Sequence, residues 1–212
     1  MWNHIIARDI DIFIFINSQY SSAFDWVFWF VTQIGNFWVV FPLLYGVILI
    51  KTPYQILGRV VLVAFLAVAI SSAVTSSLKY LVNRPRPELH FQKYPDLPRR
   101  IESAPKQFPS EELFDSLTIE LAGPQLRRQS FPSNHAALTF SAATVLIYFF
   151  GGGWFCLGLA VAAIVSYSRI YLGVHFPLDT IAGALTGVAP TWVTLKLTIG
   201  RIKESHKIGS NS

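Results

Sequence analysis

The chain has one cysteine, Cys156, in 212 residues. A single thiol excludes a disulfide framework and any zinc site built on several cysteines. Charge is also scarce. Asp, Glu, Lys and Arg make up 14% of the residues, against about a quarter in ordinary soluble domains. Apolar residues take their place at 52% of the chain, which excludes intrinsic disorder and is the composition of a membrane protein. The few charges lean positive, 17 Lys and Arg against 12 Asp and Glu. No basic helix interleaved with aromatics accompanies that excess, so nucleic acid is not an expected partner. Basic loops facing anionic lipid or a phosphorylated substrate are the better reading. The length suits one domain, residues 1–212, embedded in a membrane.

The apolar residues are clustered. Ile10–Ile16, with Asp9 before it and Asp11 within it, is too short to cross a bilayer and has neither the basic start nor the cleavage site of a signal peptide. It is expected to lie at the interface. Phe24–Ile50 holds one charge, Asp25, and is long enough to cross about 30 Å of hydrocarbon. Gly35–Asn36 and Pro42 are the points where it can bend. Val60–Leu78 has no charge and ends in a Ser/Thr-rich stretch before Lys79. Ala136–Phe150, Trp154–Leu172 and Pro177–Leu195 follow, the first two joined by a turn at Gly151–Gly153. The expected fold is therefore all-α, a polytopic transmembrane helical bundle of five spans.

Pro87–Ser130 is different material, with five prolines between Pro95 and Pro124 and most of the acidic residues. It reads as a water-exposed loop, residues 88–130, with a short helix near Ser110–Ile119. Lys51, Arg59 and the basic stretch from Lys196 mark the cytoplasmic side. That puts the loop outside and the tail, residues 198–212, inside.

Ionisable residues at membrane depth cost about 2.5–3.5 kcal/mol at a helix centre and are candidates for function. Lys79, Arg84, Arg86, His135, Arg169, His175 and Asp179 all fall at the outer face of the five-span scheme. Lys79, Arg86 and Arg169 together suit a multiply charged anion. Ser133 reads as the N-cap of the helix after Pro132, whose first-turn N–H groups form an anion site. His175 and Asp179 are four apart, so the carboxylate can fix the imidazole tautomer and leave the other nitrogen to attack. His135, from another helix, can protonate a leaving oxygen. Blander readings stand beside these. Lys79 can be a snorkelling end residue, Ser133 only a cap, and Arg169 a structural partner of Asp179. His135, His175 and Asp179 can also form a metal trio, although the surrounding cations oppose a metal.

Lys79-Tyr-Leu-Val-Asn-Arg-Pro-Arg86-Pro87, Pro132-Ser133-Asn134-His135 and Ser168-Arg169-Ile-Tyr-Leu-Gly-Val-His175-Phe-Pro-Leu-Asp179 resemble, in order and spacing, the three signatures of the phosphatidic-acid phosphatase type 2 superfamily. The resemblance implies a metal-independent membrane phosphatase without a cofactor, acting on a lipid phosphate or diphosphate. Lipid A 1-phosphate, undecaprenyl diphosphate, phosphatidylglycerol phosphate and phosphatidic acid are the substrates it brings into view. It implies that His175 is a nucleophile forming a phosphohistidine, that Asp179 supports it and that His135 is the acid. Lys79, Arg86, Ser133, Asn134 and Arg169 would hold the phosphoryl oxygens. Asn134 stands where the family usually has Gly, and Asn often adopts similar backbone angles. Bacterial members commonly have six spans, which makes the N-terminal segment the candidate for a sixth. A bacterial inner membrane, with the site facing the periplasm or exterior and covered by the 88–130 loop, is the expected location. A phosphotransferase using an alcohol acceptor and a non-enzymatic lipid transporter are the rival classes.

Overall fold

The computed structural model describes residues 2–19, 21–92 and 129–209. The helices are α1 (Trp2–Ser18), α2 (Ser22–Ile34), α3 (Phe37–Lys51), α4 (Tyr54–Val82), α5 (Pro87–Gln92), α6 (Asn134–Phe150), α7 (Gly152–Tyr171) and α8 (Pro177–Gly209). No strand occurs among the described residues, so the all-α expectation holds. The sequence sets the boundaries locally. Asn83 ends α4 in the left-handed region at φ 45° and returns its N–H to the Lys79 carbonyl. Pro85 and Pro87 then forbid a continuous helix. Gly151, at φ 77°, separates α6 from α7, and Pro177 occupies the first position of α8, where its missing N–H costs nothing.

Helices α4 and α7 are long and apolar enough to cross a membrane. Helices α2 and α3 meet the same test together but are bent by 61°. Of the two candidate bend points the break falls at Gly35–Asn36, while Pro42 stays inside α3. Helix α6 is apolar but has 17 residues. The apolar run Pro177–Leu195 lies within a longer helix: α8 runs on to Gly209, because the stretch after Leu195 has no proline and the lone Gly200 does not stop it. The expected loop helix at Ser110–Ile119 lies outside the described residues.

Helix α6 is the hub and packs on α8, α7 and α4. Its approach to α8 is close because Gly183 and Gly187 face it. A Cβ at Gly187 would stand 2.4 Å from the Ala137 carbonyl oxygen, and one at Gly183 would stand 2.5 Å from that of Ser133. Small residues four apart are the usual device for close helix contact in lipid. A hydroxyl pair adds to it, Ser141 with Thr191 at 2.6 Å, and Thr75 with Thr186 at 3.0 Å ties α4 to α8 in the same way. Away from the site, Val40, Leu44 and Ile48 of α3 pack with Val63, Ala67 and Val68 of α4 and with Val145 and Leu195. Helix α1, which covers the expected interfacial segment, lies against α7 and α8.

Candidate active site

The last turn of α4 carries Lys79, buried, with its ammonium donating to the Gln129 carbonyl at 2.9 Å. Five residues on, the carbonyl of Arg84 accepts the N–H of Ser130 at 2.8 Å. These two bonds fasten the residues before α6 to the end of α4. The N–H of Ser133 donates to the Asp179 carbonyl at 2.8 Å, which brings the start of α6 against the start of α8. At the end of α7 the Arg169 carbonyl accepts from Val174 at 3.1 Å and His175 at 3.2 Å. Gly173, at φ 77°, makes that tight return possible.

His175 is almost wholly buried. Its Nδ1 lies 3.6 Å from Asp179 Oδ2 and 3.4 Å from Ser130 Oγ. Asp179 Oδ2 also accepts the Ser130 hydroxyl at 2.5 Å and the Phe176 N–H at 2.8 Å. Its Oδ1 accepts from Arg84 at 2.8 Å. Burial pushes the His175 pKa well below the ordinary imidazole value; Asp179 opposes the shift, while Lys79 and Arg86 add to it. These shifts favour the neutral imidazole, with the Asp179 carboxylate behind it.

His135 Nε2 sits 3.0 Å from Asn36 Oδ1. The Asn36 amide donates to Gln33 Oε1 at 2.6 Å, which turns its oxygen toward the imidazole and assigns the Nε2 proton to His135. Gly35 makes room: a Cβ there would stand 2.7 Å from His135 Cδ2. Arg169 is buried and donates to Thr32 Oγ1 at 2.7 Å. The kinked α2–α3 pair thus supports both residues. A cavity of about 260 Å³ opens beside His135, walled by Asn36, Ser72, Thr75, Ser76 and Asn134.

Residues from three distant stretches meet here. The charges of Arg86, Arg169 and Asp179 act on Lys79, and those of Lys79, Arg86 and Arg169 reach His135. Two readings change. The guanidinium on Asp179 belongs to Arg84 rather than Arg169. Ser133 occupies the N-cap position, but its buried hydroxyl makes no capping bond and has no partner among the described residues. Asn134 is the first residue of α6; the positive-φ residue other than glycine among those described is Asn83. A glycine conformation is therefore not needed at 134. Asp9, Thr32, Asn36, Gln129 and Ser130 were not singled out from sequence. The only local signals were an acid in an apolar run and the Gly35–Asn36 break. Among the described residues no group of three or more His, Cys, Asp or Glu side chains could hold a metal ion.

An undecaprenyl-diphosphatase of Sulfolobus acidocaldarius is 36% identical over 89 residues, 42% of this chain and 43% of that protein. A lipid A 4'-phosphatase of Bacteroides thetaiotaomicron is 42% identical over 64 residues, 30% of this chain and 28% of that protein. The matches thus span less than half the length of these relatives. The crystal structure of Aquifex aeolicus LpxE superposes with a TM-score of 0.64 at 28% identity, covering 88% of this chain and 94% of that one. A transmembrane PAP2-type phosphatidylglycerolphosphate phosphatase from Bacillus subtilis has the same fold, with a TM-score of 0.63 at 19% identity over 93% of this chain and 88% of that one. Residues 60–203 match the family model, and on that match, which takes in Lys79, Ser133 and His175, the chain belongs to the PAP2 superfamily.

Proposed function

We propose that this chain is an integral membrane phosphatase that removes a phosphoryl group from a lipid phosphate or diphosphate. The observation that carries the reading is the buried His175 held 3.6 Å from the Asp179 carboxylate in a site otherwise rich in cations. His175 Nε2 attacks phosphorus while Nδ1 faces Asp179 and Ser130. The bond to the leaving oxygen breaks, and His135 supplies its proton. Water then hydrolyses the phosphohistidine and releases phosphate. Lys79, Arg86 and Arg169 neutralise the phosphoryl oxygens. The unpartnered Ser133 hydroxyl and the first N–H groups of α6, from Asn134 onward, complete the cradle.

The cavity beside His135 receives the leaving part of the lipid. The activities named for the relatives, an undecaprenyl-diphosphatase and a lipid A 4'-phosphatase, support the same substrate class, and phosphatidylglycerol phosphate and phosphatidic acid belong with it. We further propose the five-span arrangement of one domain, with residues 88–130 outside over the site and residues 198–212 in the cytoplasm. The membrane would be a bacterial inner membrane, with the site facing outward. The test is phosphate release by the purified protein from these four lipids, with and without chelator and with added alcohols. Release that survives chelation and is lost in His175→Asn supports the reading. No release from any of them, or full activity in His175→Asn, overturns it.

A further inference from the structure

Asp9, Phe13 and Asn17 recur every fourth residue along α1, which places them on one helical stripe. All three are buried, although neighbours such as Arg8, Asp11, Ile12 and Phe15 are exposed. Each touches the segment that carries His175. Asn17 donates to the Tyr171 carbonyl at 2.9 Å. Phe13 packs on Phe176 with ring centroids 5.1 Å apart. Asp9 Oδ1 accepts the Leu178 N–H at 2.8 Å, so it satisfies a first-turn donor of α8 from a different helix.

The second oxygen of Asp9 takes Arg84 at 2.6 Å, and the other arm of the same guanidinium reaches Asp179 at 2.8 Å. Arg84 also lies 4.2 Å over the Phe176 ring. Arg84 alone would neutralise Asp179. With Asp9 on its other arm, two carboxylates share one guanidinium, and one negative charge remains in the group facing His175. The other charges around that imidazole, Lys79 and Arg86, are positive. A positive phosphohistidine formed there needs that remaining anion.

We propose that Asp9 is a positioning residue of the phosphatase. Through Arg84 it preserves the negative charge that Asp179 presents to His175, and through Leu178 it fixes the turn that carries the imidazole. The inference rests on the reading of His175 as nucleophile. Asp9→Asn keeps an acceptor for the Leu178 N–H and removes the charge together with the oxygen that accepts from Arg84. It is assayed in the purified full-length protein, on whichever of the four lipids the wild type cleaves fastest, with inorganic phosphate as a competing probe. The kcat of Asp9→Asn should fall roughly tenfold or more, as when a buried orienting carboxylate loses its charge. Inhibition by phosphate should stay within about twofold, because Lys79, Arg86 and Arg169 are untouched. Asp9→Asn combined with Arg84→Gln removes both charges and should turn over faster than Asp9→Asn alone, whereas independent structural losses would multiply. The inference is overturned if Asp9→Asn has wild-type kcat, if phosphate affinity is lost along with kcat, or if the double variant shows multiplied losses. His175→Asn, run in parallel, separates the two readings. Full turnover there overturns the proposed function, while a normal Asp9→Asn beside a dead His175→Asn overturns this inference alone.

Discussion

Asn36 and His135 meet at 3.0 Å across 99 positions of sequence, and the contact exists because the α2–α3 pair is bent. The Asn36 side chain makes no capping bond to α3, so its main partners are Gln33 and His135. Asn36→Ala should therefore cost little stability yet release the imidazole from its orientation. A loss of about tenfold or more in kcat is expected, since misplacing a catalytic group by about 1 Å can cost 10²-fold. Steady-state kinetics beside a thermal unfolding curve measures both, and unchanged kcat would remove Asn36 from the site.

Ser133 offers a sharper separation of stability from activity. Its hydroxyl is buried without a hydrogen-bond partner among the described residues. An unsatisfied buried hydroxyl costs about 1–3 kcal/mol. Ser133→Ala should thus leave the unfolding temperature unchanged or raise it, while kcat/KM falls because a donor to the phosphoryl oxygens is gone. A variant that unfolds earlier would show that the hydroxyl has a structural partner instead.

Much of this candidate site was legible in the sequence because it is built from ionisable residues in an apolar chain. Lys79, His135, Arg169, His175 and Asp179 stand out against a membrane background for the cost of putting them there. The residues that orient them do not stand out. Thr32, Asn36, Gln129 and Ser130 are ordinary polar residues, and their roles depend on how helices far apart in sequence pack. Arg84 was visible as a charge, but its partner Asp9 lies 75 positions away, and nothing local distinguishes it from Arg86. The bend in the apolar run Phe24–Ile50 was legible at Gly35–Asn36, but its size of 61° was not, because hydropathy records how many residues can face lipid and not how far the chain turns. The end of α8 could not be read from the apolar run, because polarity after Leu195 ends such a run without ending a helix.

Arg169 should not tolerate lysine. Its guanidinium donates to Thr32 at 2.7 Å while remaining in electrostatic reach of His135 and Lys79. A planar fork can hold a supporting hydroxyl and a phosphoryl oxygen together, whereas an ammonium is a point charge. Arg169→Lys is expected to lose about 10²–10³ in rate, the usual cost of a transition-state donor. Thr32→Val should lose less, because the guanidinium remains. Single-turnover measurements of phosphate release separate this from substrate binding, and near-normal turnover in Arg169→Lys would take the fork out of the mechanism.

The pH dependence follows from His175. In the proposed mechanism only the neutral imidazole can attack, so protonation would remove activity on the acid side. An unperturbed histidine would place that limb at about pH 6.5. Burial lowers the His175 pKa, and the positive charges of Lys79 and Arg86 add to the shift, so the imidazole stays neutral further into acid. The acid limb of kcat/KM, which reports the free enzyme, should therefore not follow His175 at pH 6.5 but persist below it. Asp179→Asn removes the opposing negative charge and should push the limb lower still while slowing the phosphorylation step. Rapid quench with a radiolabelled lipid phosphate, under alkaline conditions that preserve phosphohistidine, should trap labelled protein in the wild type and none in His175→Ala. An acid limb near pH 6.5 that vanishes in His175→Ala while turnover survives, or a labelled protein that persists in that variant, would transfer the nucleophile's role to another residue.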